Sequence, residues 1–182
     1  MKKLLCILGA LAIMTGCSLT ANMDNTPTKK VEALMAKYQS LDSGVLMDLD
    51  NVINNEELFN DEQKNDYREI MKKHYQDLTY EIKDETIDGN NAVVTVEIEV
   101  NDYSKVMATA DQYLQDNREQ FYNEENEYDE DLFTKYRLDQ LRDADERVKY
   151  TLELSLTKNN GEWVLDELSD ADRSKINGMY EV

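Results

Sequence analysis

The chain has 182 residues, a length that suits one domain, and its 39 Asp and Glu outnumber its 20 Lys and Arg, giving a net charge of −19. Carboxylates in this excess repel nucleic acids and anionic membrane surfaces within a Debye length of about 8 Å. We therefore exclude nucleic acid as a partner, and we expect any membrane attachment to come from lipid on the chain.

The first 17 residues carry the three parts of a secretory signal. Two lysines at positions 2 and 3 precede an apolar stretch from Leu4 to Ala12, which is too short to span a bilayer. The run Ile13-Met14-Thr15-Gly16-Cys17 then resembles the bacterial lipobox, whose cysteine receives a diacylglyceryl group and becomes the new N-terminus. This resemblance implies that residues 1–16 are a signal peptide and that Cys17 is the lipidation site. Two acyl chains hold a protein stably on a membrane, so we expect a lipid anchor on the extracytoplasmic face.

Residues 17–30 are predicted to form a flexible tether, because they contain few large apolar side chains and the only proline, Pro27. Removal of Cys6 with the signal and lipidation of Cys17 would leave the rest of the chain without a thiol. Disulfides, thiol catalysis and cysteine metal sites are thereby excluded. Residues 31–182 are predicted to form a single domain.

The first part of this domain has the pattern of three amphipathic helices. Apolar residues recur at spacings of three and four from Val31 to Leu41, again from Val45 to Ile53, and again from Tyr67 to Leu78. Asn60 or Asp61 supplies an N-cap for the third helix. These spacings predict helices with one buried face each.

The pattern then changes to the two-residue period of half-buried strands. Residues from about Thr79 to Val100 alternate apolar and polar side chains around the turn sequence Asp88-Gly89-Asn90-Asn91, which predicts a β-hairpin. Helical spacing returns from Tyr103 to Phe121 and from Asp131 to Leu141. A second hairpin runs from Val148 to Leu165 around Asn160-Gly161. The order of elements predicts an α+β fold, a curved antiparallel sheet of two hairpins with several helices packed on one face.

Few side chains suggest catalysis or metal binding. His74 is the only histidine and lies in the third predicted helix, where we interpret it as a residue at the edge of the core rather than an acid or base. No Gly-x-Ser-x-Gly sequence marks a serine nucleophile. Asp48 and Asp50 resemble the start of a calcium loop, but Val52 stands at the next ligand position.

Two acidic clusters are candidate calcium sites, and a solvated acidic surface is the favoured interpretation of both because neither has ligand spacing. The first cluster is a loop, and the second lies near the C-terminus. Their members are Glu124, Glu125, Glu127, Asp129, Glu130 and Asp131, and Asp166, Glu167, Asp170 and Asp172.

The chain has 11 tyrosines but only three phenylalanines and one tryptophan. Several tyrosines fall on predicted buried faces, where each hydroxyl needs a hydrogen-bond partner. Ordinary core packing is the favoured interpretation, and a pocket lined by hydroxyls is the alternative. The tyrosines concerned are Tyr38, Tyr67, Tyr75, Tyr103, Tyr113 and Tyr150.

The organisation of the chain from about residue 28 to 182 resembles the NTF2-like, or cystatin-like, small extracytoplasmic lipoproteins of Gram-positive bacteria. The resemblance rests on Cys17, on Thr28-Lys29-Lys30, and on the two hairpins, the second with Asn160-Gly161-Glu162-Trp163. It implies a curved sheet wrapped around a helix as a cone, often with an apolar pocket. The group includes enzymes, binding modules and dimers, so the resemblance assigns no catalytic or binding residue.

We therefore expect a membrane-anchored extracytoplasmic domain that binds a ligand or a protein partner without catalysis, and the charge favours a cationic partner. No catalytic residue, cofactor-binding residue or metal ligand is assigned. Two alternatives stay open. One is a small NTF2-like enzyme that uses Tyr and Asp or Glu as acid and base, and the other is a structural module that self-associates through an exposed apolar face of the sheet.

Overall fold

The structure is a computed structural model that describes residues 25–56 and 59–181. The predicted signal peptide and lipidation site, including Cys17, lie outside the described residues. Within these residues, no helix is both long and apolar enough to cross a bilayer.

The described chain forms six α-helices and four β-strands, which confirms the α+β class. A short 3-10 helix at Arg118–Phe121 follows the fourth α-helix. The helices are α1 (Pro27–Gln39), α2 (Ser43–Asn54), α3 (Asp61–Gln76), α4 (Tyr103–Asp116), α5 (Glu130–Arg142) and α6 (Asp170–Ile176), and the strands are β1 (Thr79–Asp88), β2 (Asn91–Asn101), β3 (Arg147–Asn159) and β4 (Glu162–Leu165).

The four strands make one open antiparallel sheet in the order β1-β2-β3-β4. Both predicted hairpins are present, and β2 joins them by pairing with β3 along its whole length, from Asn91↔Thr157 to Asn101↔Arg147. Alternate side chains of these two central strands are buried, and the residues between them face solvent, as the two-residue period predicted. The core face therefore belongs mainly to β2 and β3.

Helix α1 begins at Pro27, so the tether predicted to extend to Lys30 is wrong in its last residues. Thr26 caps the helix by accepting a hydrogen bond from the Lys29 amide, and proline suits the first helical turn because its missing N–H needs no partner there. Pro27, which was predicted to lie in the tether, is the first residue of α1. Its own side chain is buried, together with those of Val31 and Met35.

Two further differences concern short helices. Phe121 lies in the 3-10 helix rather than in α4, because α4 ends at Asp116. Helix α6 was not predicted: its seven residues contain one buried apolar side chain, Ile176, which is too little to show a helical period. Asp170 and Asp172, weighed above as cluster residues, lie in the first turn of α6, where carboxylates favour helix formation.

The C-terminal segment packs tightly on the end of the sheet where β2 ends and β3 begins. Gly178 has φ +68°, and a Cβ atom there would lie 2.2 Å from the carbonyl oxygen of Asn101. Its own carbonyl accepts a hydrogen bond from the amide of Ser104, at the start of α4. Only glycine fits this backbone contact without displacing the strand end.

Candidate binding cleft

A cleft of about 200 Å³ lies between helices α2, α3, α4 and α5, and we call it the main cleft. Its wall is mostly apolar, and the segment after α6 closes one side. The apolar lining residues are Val52, Ile53, Phe59, Tyr67, Met107, Leu138, Leu141 and Met179. Apolar concave surfaces of this kind bind small ligands or single anchoring side chains of a partner.

Polar groups line the same cleft. Glu56 stands at the end of α2, Glu130 at the start of α5, and Thr134 and Arg137 follow one and two turns later. The guanidinium of Arg137 lies over the Phe133 ring at 5.5 Å, a cation–π contact that holds it against α5. The cleft thus combines an apolar floor with two carboxylates and one restrained cation.

A smaller cavity of about 100 Å³ adjoins the main cleft, with which it shares Val52 and Tyr67. Tyr38, Tyr75 and Asp48 also line it, and the remaining lining residues are Val45, Leu49, Met71, Arg173 and Asn177. The Tyr75 hydroxyl donates a hydrogen bond to the side-chain oxygen of Asn177 at 2.9 Å. The structure therefore brings three of the predicted buried tyrosines around one cavity.

Burial controls the acidity of these hydroxyls. It raises the pKa of Tyr67 to about 12, and the neighbouring Tyr103 and the carboxylate of Glu56 add to this shift. Burial also raises the pKa values of Tyr75 and Tyr38, and in Tyr38 the cation of Arg173 opposes the rise. All three hydroxyls are protonated at neutral pH and can donate hydrogen bonds.

The other predicted buried tyrosines are placed elsewhere. Tyr103 and Tyr150 are buried, whereas Tyr113 is half-buried on α4. The Tyr150 hydroxyl donates to the carbonyl of Tyr180 at 3.0 Å, and that of Tyr113 donates to the side chain of Gln120 at 2.9 Å. Tyr150 is therefore a core residue whose hydroxyl has a hydrogen-bond partner, as the favoured interpretation predicted.

Val52 is the residue of the cleft that the sequence pattern placed wrongly. It belongs to the apolar face predicted for α2, yet 62% of its side chain is exposed, because it lies at the junction of the two hollows instead of beneath another element. An exposed valine beside an apolar cleft extends the surface available to a partner.

His74 lies away from both hollows, in the core between α3 and α6. Its ring is 1% exposed, stacks on Tyr103 at 4.6 Å, and shares a 2.8 Å hydrogen bond from Nε2 to the carbonyl of Ile176. Burial lowers the pKa of His74 to about 4, although the hydrogen bond to Ile176 opposes this. His74 is thus a neutral packing residue at pH 7, deeper in the core than the edge position predicted.

The carboxylates weighed as metal ligands have structural contacts. Asp50 forms an ion pair with Arg68 at 2.7 Å, and Asp48 lines the smaller cavity. Asp129 caps α5 by accepting hydrogen bonds from two amides of its first turn. Among residues 25–56 and 59–181, no group of three or more His, Cys, Asp or Glu side chains is arranged to hold a metal ion. Of the acidic loop, only Glu130 contributes to the main cleft.

Comparisons with known proteins place this chain in no characterised group. No protein-family model and no curated protein sequence matches it. A similar solved structure is the crystal structure of a Bacillus subtilis protein described as a lipoprotein (ycdA), with 16% sequence identity and a TM-score of 0.40. The match covers 87% of this chain and 50% of that protein, so the chain spans about half its length. A likeness at this distance assigns neither a fold nor a function to this chain.

Proposed function

We propose that this chain is an extracytoplasmic lipoprotein, anchored through lipid on Cys17, whose domain binds a protein partner without catalysing a reaction. The main cleft is the observation that carries the binding proposal. It offers an apolar floor from four helices beside exposed Val52, whereas the only histidine is buried elsewhere and neutral. A surface of this composition suits recognition better than acid–base chemistry.

The partner we propose is a basic segment of polypeptide with an apolar anchoring side chain. The cleft holds about 200 Å³, enough for one large apolar side chain, and Glu56 and Glu130 stand at its polar side. The chain as a whole carries a net charge of −19, which attracts a cationic partner and accelerates its encounter. Charge and shape therefore favour the same class of partner.

The lipid anchor and the relation to the NTF2-like lipoproteins are parts of the same proposal. The lipobox-like run ending at Cys17 supports the anchor. The two hairpins and the helices that share one core with their sheet support the relation, although the sheet is open rather than closed into a cone. A protein tethered in this way would present its cleft to partners outside the cell.

The two alternatives have weaker support. The enzyme alternative uses a tyrosine as an acid or base, which works best when the tyrosine pKa is close to the working pH. Burial raises the pKa values of Tyr38, Tyr67 and Tyr75, which moves them further from neutral pH. The self-association alternative needs an apolar patch on the outer face of the sheet. Val93 and Val164 are exposed there, at 38% and 48%, among mainly polar neighbours.

Peptide binding to the domain from Ser18 to Val182 tests the proposal. We expect a fluorescent amphipathic Lys/Leu peptide to bind, measured by anisotropy, and a Glu/Leu peptide of the same pattern to bind at least tenfold more weakly. Val52→Trp places a large side chain at the junction of the two hollows and should weaken binding about tenfold. Equal binding of the two peptides would contradict the proposal.

Val164→Trp is the matched control. It makes the same change at a valine of similar exposure on the outer face of the sheet, away from the cleft. We expect this variant to bind the Lys/Leu peptide like the unmodified domain. If Val164→Trp weakens binding and Val52→Trp does not, the peptide binds the sheet, and the main cleft is not the site.

A further inference from the structure

The first described residues are fastened to one particular end of the sheet. The side chain of Asn25 donates a hydrogen bond to the carbonyl of Gly161 at 2.9 Å and accepts one from the amide of Trp163 at 2.9 Å. Two residues into α1, the amide and hydroxyl of Thr28 both donate to the Glu85 carboxylate of β1. The chain therefore enters the domain beside the two hairpin turns, and we call this region the turn end.

The main cleft lies toward the opposite end of the sheet, the helix end, where β2 stops and β3 starts. Helix α1 runs between the two ends, since its last residue, Gln39, donates to the carbonyl of Leu78 just before β1 begins. Met179 and Leu141 line the cleft. Met179 follows Gly178, which packs on Asn101 at the end of β2, and Leu141 lies in the last turn of α5, just before β3.

The connection between Cys17 and Asn25 lets a lipid on Cys17 approach the turn end but not the helix end. Eight residue steps join Cys17 to Asn25, and whatever their conformation they span at most about 28 Å. The 11 residues of β2 extend about 33 Å from the turn end to the helix end. The segment before Asn25 is therefore too short to pass back along the sheet and bring the helix end against the bilayer.

Charge acts in the same direction. The segment 102–146, which leaves and rejoins the sheet at the helix end, contains 14 Asp and Glu against five Lys and Arg, a net charge of −9. The two turns at the other end, residues 88–91 and 157–163, together with Glu85 beside them, contain three carboxylates and one lysine, a net charge of −2. An anionic lipid surface therefore repels the helix end more strongly than the turn end.

We infer that the turn end is the surface that meets the lipid bilayer, and that the main cleft is held on the side of the domain away from the membrane. This inference rests on the proposed lipid anchor at Cys17. It makes the hairpin turns a membrane-facing surface and leaves the cleft open to a partner approaching from outside. The orientation is fixed by the attachment of Asn25 and by the short connection, with no basic patch required.

Fluorescence quenching on vesicles tests this orientation. The full chain is expressed in a bacterium that lipidates its proteins and is reconstituted into phosphatidylcholine vesicles with and without phosphatidylglycerol. Single cysteines, Asn90→Cys at the turn end and Asp145→Cys at the helix end, replace two exposed residues and carry the same bimane label. Lipids with a nitroxide on the headgroup then quench each label according to its distance from the bilayer.

We expect bimane at position 90 to be quenched several-fold more than bimane at position 145, and phosphatidylglycerol to widen the difference. A Gly/Ser insertion of roughly 20 residues after position 22 should reduce the difference, because the longer connection releases the domain. Equal quenching of the two labels, or stronger quenching at position 145, would overturn the inferred orientation.

The lipid anchor itself is tested separately in the same preparation. The unmodified chain should sediment with membranes, and Cys17→Ser should not. If the two chains sediment equally, the proposed anchor fails and the orientation inferred from it fails with it. If only the unmodified chain sediments and the quenching pattern is reversed, the anchor stands and the orientation alone is wrong.

Discussion

The buried imidazole of His74 couples stability to pH at the scale of a single residue. Burial lowers its pKa to about 4, from an ordinary value near 6.5 in the unfolded chain. The unfolded state therefore binds a proton more readily between these values. Stability due to neutral His74 is fully present above about pH 6.5 and is lost as the pH falls toward 4.

Replacement of His74 by glutamine should reduce this pH dependence. Between about pH 7 and pH 4, we expect the unmodified domain to lose about 3 kcal/mol more unfolding free energy than His74→Gln, which is most of the effect of a shift of this size. Urea denaturation at the two pH values measures the difference. If both proteins lose the same free energy over this range, His74 titrates normally and is not the neutral packing residue described here.

Gly178 and Gly89 have nearly equal φ angles but different surroundings. Gly178 has φ +68° and no space for a Cβ atom, whereas Gly89 has φ +60° and nothing within 4 Å of the same position. Gly89→Ala should cost about 1 kcal/mol, the backbone strain alone. Gly178→Ala should cost about 3 kcal/mol, because the Asn101 carbonyl must also move. Equal costs in chemical denaturation would contradict the close contact between the C-terminal segment and β2.

At the level of elements, Asn25, two residues before α1, joins the start of the domain to the second hairpin through its side chain. Asn25 makes two hydrogen bonds to that hairpin, each contributing about 1 kcal/mol. We expect Asn25→Ala to destabilise the domain by about 2 kcal/mol and to increase hydrogen exchange of the Trp163 amide, which loses its acceptor. Asn159→Ala, at an exposed position of the same hairpin, is the control. An unchanged Trp163 amide would contradict the attachment.

The elements with strong local patterns were predictable from the sequence. The third helix starts with a capping box, in which Asn60 and Gln63 exchange side-chain and backbone hydrogen bonds; of the two N-cap candidates in the sequence, Asn60 and Asp61, Asn60 is the cap. Both hairpins follow from alternation around Gly89 and around Asn160-Gly161. Pairing of β2 with β3 was not predictable locally, because 45 residues separate Asn101 from Arg147.

The start of α1 shows how one residue supports two interpretations. Pro27 was assigned to a tether because proline disfavours helix interiors, but at a first turn it costs nothing and Thr26 caps it. The sequence just before Pro27 is polar, so no apolar periodicity distinguishes a tether from the start of a helix. Helix α6 likewise shows no apolar periodicity, because it has only seven residues and one buried apolar side chain, that of Ile176.

At the scale of the whole molecule, the cleft could not be predicted because no continuous segment forms it. Its lining extends from Val52 in α2 to Met179 after α6, and the sequence alone shows these only as apolar residues of separate elements. The tyrosines were predicted to be largely buried, but the meeting of Tyr38, Tyr67 and Tyr75 at one cavity depends on how α1, α2 and α3 pack.

The net charge of the whole molecule is predictable from its composition, and it determines the class of partner that we propose. The excess of carboxylates follows from composition, and the structure adds that Glu56 and Glu130 stand at the apolar cleft. The combination favours a basic segment with an apolar anchor over a nucleic acid or an acidic ligand.

Methionine methyl NMR reports on peptide binding at the main cleft itself, because methionines lie both inside and outside the cleft. Met107 and Met179 line it, whereas Met35 lies on the buried face of α1 and Met47 is exposed on α2. With the Lys/Leu peptide, we expect saturable shifts of the Met107 and Met179 methyl resonances, with Met35 unchanged and both shifts abolished by Val52→Trp. Binding of the peptide that leaves Met107 and Met179 unshifted would contradict the assignment of the cleft as the binding site.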